Sequence, residues 1–208
     1  LPFVRPELVG TPIVLALLVH AGPLDDGVRA VAPLRALAPP VADFVRAMPF
    51  GDMFKAEGQE APPRSVVRTF FSDSLDEAAA AELLARLRAS TAKLPAAQIR
   101  VLGGAVARVP SEATAFAHRQ RQLMVNVAAV YESEEEDSVH RAWADDAAAA
   151  LRQGQDGAYV NFIGDEGAER VRAAYPGATW NRLADVKRRY DVDNVFRLNQ
   201  NVSPTESR

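Results

Sequence analysis

The stretch AYVNFIGDEG, residues 158–167, carries the polar residues Tyr159 and Asn161 on one register and apolar residues on the other. Side chains alternate between the two faces of a β-strand, so the pattern predicts a strand with these two residues on one face, opposite Val160 and Phe162. A glycine and acidic residues follow at once and predict the end of that strand. A phenol beside an amide is either a buried, hydrogen-bonded pair or part of a site that moves a proton.

The rest of the chain predicts alternating strands and helices. Four further stretches are apolar or rich in β-branched and aromatic residues and predict strands, at 11–22, 65–71, 99–110 and 121–133, the third broken by two glycines. Because single helices or turns separate the strands, the connections favour an antiparallel sheet. The predicted fold class is therefore α+β, with a large antiparallel sheet and helices packed on one of its faces.

The helices are predicted from capping residues and from apolar residues at helical spacing. Ser74 followed by Glu77 predicts a capping box at the start of one helix. A stripe of apolar residues predicts the core face of the next helix, with His140 on the surface; its members are Val139, Trp143, Ala147 and Leu151. Two more helices are expected near the C-terminus, at 165–177 and, capped by Thr179, at 179–191.

The composition excludes several classes of function. The chain has 208 residues, a quarter of them charged, and a net charge of −3, which is ordinary for a soluble globular protein. No cluster of Lys and Arg stands out, so no nucleic-acid partner is expected. With no cysteine, there is no disulfide, thiolate metal site or cysteine nucleophile. The three histidines lack the spacing of metal ligands, so no metal site is predicted.

The longest apolar run, Pro12 to Val19, is too short to cross a bilayer. No basic segment precedes it and no small-residue cleavage site follows, so it is not a signal peptide. We therefore expect no membrane association and no targeting segment, with the cytoplasm as the default location. The chain begins with Leu and enters a predicted strand almost immediately, which indicates a piece of a longer protein.

The C-terminal segment GAYVNFIGDEGAERVRAAYPGATWNRLADVKRRYDVDNVFRLNQNVSP, residues 157–204, resembles the closing segment of FAD-linked oxidases of the berberine-bridge-enzyme-like group. Three upstream blocks agree with that resemblance and occur in the same order: GPLDDGVRAVAPLRAL, LGGAVARVPSEATAFAHR and HRAWADD. The likeness extends from about Pro6 to Pro204. Four separated blocks make it specific, whereas a lone Gly-Gly pair or Tyr-x-Asn motif is not.

The resemblance implies a division of labour between two domains. Members of this family have an N-terminal FAD-binding domain, then a substrate-binding domain, then a tail that returns to the first domain. This chain is similar to the substrate-binding domain, residues 1–174, and to the helix and tail, residues 175–208. FAD is the expected cofactor, with its phosphates and covalent attachment supplied by the missing domain. The sequence has no Gly-rich phosphate loop, which agrees with this expectation.

The resemblance also implies roles for individual residues. Tyr159 matches the base that takes a hydroxyl proton while a hydride leaves for the flavin, and Asn161 would contact the flavin or orient the Tyr. A phenol has a pKa of about 10, so such a base needs a nearby positive charge or hydrogen bond. Asn199, Gln200 and Asn201 match the terminal motif, and their amides suit a flavin ring edge or attachment of the tail.

Gly103 and Gly104 match the family's Gly-Gly strand, where the lack of side chains lets the backbone approach a substrate. Arg108 continues that predicted strand, and all three residues are candidates for the substrate pocket. Plant members have a glutamate base two or three residues after the glycines, whereas this chain has Ala107 and Arg108. This departure puts the carboxylate-base mechanism in doubt and leaves a Tyr-based oxidation of a hydroxyl group.

Three hypotheses follow for the function. The first is the substrate-binding part of an FAD-dependent oxidase that acts on a small hydroxyl-bearing molecule and reduces dioxygen, and that is inactive as this piece alone. The second is a stand-alone binding module without a cofactor. In the third, the flavin-facing surface has become a dimer interface. A bare apolar face is rarely left exposed, so we expect a partner chain, the missing domain or a homodimer to cover it.

Overall fold

The computed structural model describes residues 6–54, 64–152 and 157–204. Its internal contacts divide the chain into two compact units, Leu1–Ala61 and Pro62–Arg208. No helix in the described ranges has the length and apolar character that a bilayer span requires. The predicted boundary between residues 174 and 175 concerns packing on a further domain and stays a prediction.

The first unit contains one α-helix in its described part, α1, Leu24–Arg35. The prediction of a buried strand at 11–22 is wrong, since no strand is assigned there and the side chains of Val14 and Leu17 are 93% and 81% exposed. A strand needs a neighbour that accepts its backbone hydrogen bonds. Within the described residues of this unit no second strand supplies them.

The second unit is built on an antiparallel sheet, which confirms the α+β fold class. Across the described residues the sheet has three strands: β1, Arg64–Ser72; β2, Leu94–Val101; and β3, Leu123–Tyr131. Their order is β1-β3-β2, so β3 is central and pairs with both neighbours in antiparallel register. In that register Phe71 and Arg100 lie opposite Met124.

Helices cover one face of this sheet, as expected. The α-helices of the second unit, in chain order, are α2, Glu77–Ala89; α3, Gly104–Arg108; α4, Asp137–Leu151; α5, Ala168–Ala174; and α6, Ala178–Tyr190. Helices α2 and α4 pack on the sheet through an apolar core made of Phe70, Leu83, Val125, Val127, Ala147, Ala148 and Leu151. Phe70 is opposite Val125 in the register, so alternation places Phe71 and Met124 on the other face of the sheet.

The helix boundaries differ from the predictions in detail. Asp76, and not Ser74, caps α2, and its carboxylate accepts the backbone N–H of Ala79 at 2.8 Å. In α4 the buried face is rotated by one residue, because Val139 is exposed whereas His140 is only 1% exposed. The prediction of a surface His140 is therefore wrong. Helix α6 begins after Gly177, and Thr179 is buried within it instead of capping it.

The predicted strand through the Gly-Gly pair is also wrong, since strand β2 ends at Val101 and helix α3 follows. Gly103 and Gly104 have φ angles of 100° and 50°, in the left-handed region that a side chain disfavours. The two glycines therefore turn the chain out of the sheet. A Cβ added at position 104 would meet no described atom within 4 Å. Position 104 is therefore a glycine because of its backbone conformation, and not because another group packs closely against it.

Candidate active site

Tyr159 lies on a tight turn and not on a strand. The residues Val160–Phe162 form a single 3-10 turn, in which the backbone N–H of Phe162 donates to the carbonyl of Tyr159 at 2.8 Å. The prediction of a strand at 158–163 is therefore wrong. The apolar alternation is real, but the turn satisfies its own backbone groups locally and needs no neighbouring strand.

The turn nevertheless brings the two predicted polar residues together. The side-chain amide of Asn161 donates a hydrogen bond to Tyr159 Oη, with 2.9 Å between nitrogen and oxygen. Asn161 is exposed and Tyr159 is half-buried. The Asn161 donor fixes the position of Oη and leaves the oxygen free to accept a further hydrogen bond from a ligand.

A cavity of about 250 Å³ opens beside Tyr159. Its walls come from the end of β2, helix α3, the loop before β3 and the start of β3, and its lining residues are Leu102, Val106, Phe116, Arg119, Met124 and Tyr159. Four of these six side chains are apolar. The cavity therefore suits a small, mainly apolar molecule with one polar group directed at the phenol.

Two aromatic rings flank Tyr159, and each carries an arginine. The ring of Phe116 meets Tyr159 edge-on with 5.6 Å between centroids, and the Arg119 guanidinium lies 5.6 Å from the Phe116 centroid. On the other side the Phe162 ring is 5.6 Å from Tyr159, and the Arg100 guanidinium lies 4.5 Å from the Phe162 centroid. These contacts fix the orientation of the phenol and place two cations one ring away from it.

A chain of ion pairs holds the Tyr159 turn against the outer edge of β1. The Arg170 guanidinium donates to the backbone carbonyl of Thr69 at 2.7 Å and to the carboxylate of Glu166 at 3.3 Å. The same carboxylate lies 3.7 Å from Arg68, which also binds Asp145 of α4 at 2.5 Å. The Glu166 side chain is only 6% exposed, so these are buried charges with partners on both sides.

His118 fixes the other end of the same segment. Its ring stacks on Phe71 with 4.4 Å between centroids, and its Nε2 donates to the carbonyl of Ala173 at 3.1 Å. Burial lowers the pKa of His118, and the bond to Ala173 opposes that shift only in part. Gly157 passes so close that a Cβ there would lie 3.0 Å from Phe71 Cδ2 and 3.1 Å from His118 Cε1. These contacts give His118 a structural role.

The three C-terminal amides have different surroundings. Gln200 Nε2 donates to the backbone carbonyl of Ile163 at 2.7 Å, which attaches the tail directly behind the Tyr159 turn. Asn199 adopts a left-handed conformation with φ of 59°, and its carbonyl accepts the N–H of Asn201 at 3.0 Å. The tail is thus brought to the site by Gln200, and a flavin contact by any of the three amides stays a prediction.

The other predicted pocket residues are only partly brought to the cavity. Gly103 and Gly104 lie between two lining residues, Leu102 and Val106, and shape the wall through the backbone. Arg108 is exposed at the end of α3 and is not among the lining residues. Their roles in substrate binding stay predictions.

The sequence did not identify Phe116, Arg119, Phe162 and Arg100 as neighbours of Tyr159. No local pattern marks them, because the loop before β3 and the register between β2 and β3 decide where they lie. The one available signal was the alternation along β2, which places Arg100 on the same face as Gln98. Without the register that face could not be assigned to the site.

The cofactor expected from the sequence can be tested against these residues. A cavity of about 250 Å³ is smaller than the 300 to 1,000 Å³ typical of ligand pockets and cannot enclose FAD. Tyr159 Oη and the Asn161 amide can instead meet one edge of a flavin ring, since they lie at or beside the cavity wall. The described residues therefore fit a contact with the ring, and a phosphate site in another domain stays a prediction.

Comparison with known proteins finds similarity to FAD-linked oxidoreductases. Residues 158–203 match the family model described as "Berberine and berberine like". Two uncharacterized FAD-linked oxidoreductases of Bacillus subtilis (strain 168) are similar: YvdP is 31% identical over 103 residues, and YgaK is 27% identical over 193 residues, 91% of this chain. The crystal structure of the glycopeptide hexose oxidase DBV29 complexed with teicoplanin matches 73% of this chain with a TM-score of 0.63 and 21% identity.

The closing segment of the chain, residues 158–203, is thus similar to the berberine-bridge-enzyme-like family, and the curated relatives are FAD-linked oxidoreductases. The match spans 23% of YvdP, 43% of YgaK and 35% of the hexose oxidase chain.

Proposed function

We propose that this chain is the substrate-binding part of an FAD-dependent oxidase that converts a hydroxyl group of a small molecule into a carbonyl group. The observation that carries the proposal is the phenol of Tyr159 at the wall of a small apolar cavity, with its oxygen held by the Asn161 amide at 2.9 Å. The similarity to FAD-linked oxidoreductases supports FAD as the redox partner. The likeness to a hexose oxidase supports a hydroxyl-bearing substrate.

Each chain residue has a defined part in this reaction. The cavity holds the apolar body of the substrate and excludes water, and the substrate hydroxyl donates to Tyr159 Oη. Tyr159, in its deprotonated form, would accept the hydroxyl proton and become the neutral phenol as the C–H bond breaks, and Asn161 keeps the phenol oxygen in place. FAD, when bound, would supply the hydride acceptor, with dioxygen as the final acceptor of the two electrons.

We also propose that an FAD-binding domain covers the C-terminal tail. The tail and the end of α6 expose several large apolar side chains, which are Tyr190, Val192, Val195, Phe196 and Leu198. The turn that displays them is rigid, because the Asp191 carboxylate accepts the backbone N–H groups of Val195 and Phe196 at 2.7 and 3.1 Å. An ordered apolar surface of this kind is typical of an interface. A homodimer through the same surface is the alternative.

The first prediction tests the role of Tyr159 in a protein extended to the length of the relatives and loaded with FAD. Tyr159→Phe removes the proton acceptor but keeps the ring contacts, so we expect kcat to fall by about 10²-fold or more. Anaerobic reduction of the flavin by an alcohol substrate, followed in a stopped-flow spectrometer, measures the step directly.

Phe162→Leu is the matched control, since it alters a neighbouring ring and leaves the phenol. Unchanged flavin reduction in Tyr159→Phe would reject Tyr159 as the base. Flavin absorbance of the purified 208-residue chain is a second check, because tight binding of FAD by this chain alone would contradict a phosphate site in another domain.

A further inference from the structure

Arg100 lies on the same sheet face as the cavity and forms no ion pair with any described residue. It stands on β2 directly opposite Met124, which lines the cavity, and residues directly opposite in an antiparallel pair project from the same face. Its guanidinium stacks on Phe162, the ring next to Tyr159. Arg100 is thus placed on the sheet face that carries the site and is separated from the phenol by one ring.

One hydrogen-bonding group of this guanidinium has no partner. Its Nη1 is buried and has no hydrogen-bond partner among residues 6–54, 64–152 and 157–204. In the same ranges no carboxylate lies within ion-pair distance of the guanidinium. An arginine in this state is unusual, because leaving a buried charged donor unpaired is destabilising.

Other arginines of this unit are engaged. Arg64, Arg68 and Arg170 each bind a carboxylate. Arg119, the other cation beside the site, donates its two terminal nitrogens to the carbonyl of Val106 at 3.3 Å and to Thr114 Oγ1 at 2.7 Å. Arg119 therefore braces the cavity wall and keeps only its Nε without a partner, whereas Arg100 makes no ion pair within the described residues and its Nη1 has no partner there.

The stacked geometry selects the type of ligand. A ring on one face of a guanidinium holds its plane and leaves the donors on its edge, where they match the two oxygens of a carboxylate. Because the stem and the plane are already fixed, little side-chain entropy is lost on binding. The apolar cavity next to it accepts a ring or short hydrocarbon.

We propose that Arg100 is the carboxylate-binding residue of this site, and that the substrates are small hydroxy acids. The carboxylate binds the Arg100 guanidinium, the apolar body fills the cavity beside Met124, and the hydroxyl reaches Tyr159. This assignment of substrate class rests on the proposed oxidation of a hydroxyl group. It adds to that function a recognition site for charge.

The test measures binding and not turnover, in the FAD-loaded protein that contains this chain. Benzoate and benzamide serve as probes, because they have nearly the same shape and differ in charge. Isothermal titration calorimetry gives their Kd values at constant ionic strength. We expect the native protein to bind benzoate about tenfold or more tightly than benzamide, since a charge-assisted bidentate pair is lost in the amide.

Arg100→Gln should abolish this preference, because it should weaken the binding of benzoate by about tenfold or more and leave the binding of benzamide unchanged. Arg100→Lys should keep part of the preference for benzoate, because the positive charge remains while the two parallel donors of the guanidinium are lost. Arg88→Gln, which removes an exposed arginine on helix α2, should bind both probes like the native protein. Circular dichroism and flavin content show that the variants are folded and loaded.

Three outcomes would overturn the proposal. The native protein could bind both probes equally, or Arg100→Gln could weaken the binding of both probes equally. In the third outcome, Arg100→Gln loses affinity for FAD while its binding of benzoate is intact. The last outcome would make the cofactor the anion that Arg100 binds. The benzoate preference does not depend on Tyr159. If the Tyr159→Phe prediction fails, the proposal for Arg100 still stands. If the benzoate prediction fails, the oxidase proposal still stands.

Discussion

Gly157 is the residue at which the site depends most on the absence of a side chain. It precedes the Tyr159 turn and passes against the stacked pair of Phe71 and His118, where an added Cβ would lie 3.0 to 3.1 Å from both rings. Both rings are buried, so neither can retreat without losing packing. This glycine therefore sets how closely the segment that carries Tyr159 approaches the sheet.

Gly157→Ala should destabilise the second unit by about 1 to 3 kcal/mol, the usual cost of overpacking. Gly164→Ala is the matched control in the same segment, since a Cβ there meets nothing within 4 Å. Urea unfolding followed by circular dichroism measures both variants. Equal urea midpoints for the two variants would show that the Phe71 and His118 rings can move aside and that the close approach of Gly157 does not limit stability.

At this scale the sequence predicted the contact but not its cause. Tyr159 and Asn161 were expected to be neighbours because residues two apart share a face of a strand. They are neighbours because a 3-10 turn folds Asn161 back onto the phenol oxygen. The motif was informative because it marks two chemical groups, and the backbone geometry between them could not be derived from alternation alone.

At the scale of elements, the ion pairs of Glu166 join the Tyr159 turn to strand β1 and helix α5. The carboxylate is 6% exposed and lies between Arg68 and Arg170. Its removal would leave two buried arginines short of a partner, and one of them, Arg170, carries the bond to the Thr69 carbonyl. This pair of contacts attaches the active-site turn to the sheet.

Glu166→Gln should lower the free energy of unfolding by about 3 kcal/mol, as expected when one partner of a buried ion pair is removed. Glu82→Gln, which breaks an exposed pair with Arg86 at 2.7 Å on helix α2, should cost about 0.5 kcal/mol or less. Thermal unfolding of both variants gives the comparison. A loss in Glu166→Gln no larger than in Glu82→Gln would contradict a structural role of the buried network.

The elements that the sequence predicted correctly have strong local signals. Strand β1 and strand β3 were expected within one or two residues, because β-branched and aromatic residues fill them. Helix α3 was not predicted, because no sequence pattern at Gly103 and Gly104 indicates that the chain turns there from a strand into a helix. The stretch at 11–22 was assigned as a strand on apolar content alone, and strand formation also requires a partner that no local signal reveals.

The whole molecule should lose stability in two stages on acidification. Burial lowers the pKa of His118 from its ordinary value of 6.5, so the unfolded chain takes up a proton more readily than the folded one. Stability is then full above pH 6.5 and falls as the pH drops below it. Among the described residues, hydrogen bonds lower the pKa of four carboxyl groups: that of Asp43 through Arg35, that of Asp137 through Arg64, that of Asp191 through Lys187 and that of Glu136 through the Ser133 backbone. Their contribution is present above their ordinary values of 3.8 to 4.5 and is lost as the pH falls through the lowered pKa values.

Urea midpoints measured between pH 8 and pH 3 should therefore show a first decline that begins near pH 6.5 and a second below about pH 4.5. His118→Gln removes the titrating ring but keeps a donor for the Ala173 carbonyl, so it should abolish the first decline and leave the second. A first decline that persists in this variant would assign it to another group.

The contact between Arg170 and the Thr69 carbonyl has a further consequence for the sheet as a whole. It occupies the outer side of β1, so another strand cannot pair there without displacing a buried cation. Strand β2 is the other edge of the sheet across the described residues, and its terminal residues Leu94 and Val101 are exposed. A further strand, from the same polypeptide or from another copy of it, would displace the Arg170 contact by pairing with β1 at Thr69, whereas pairing with β2 would leave that contact in place.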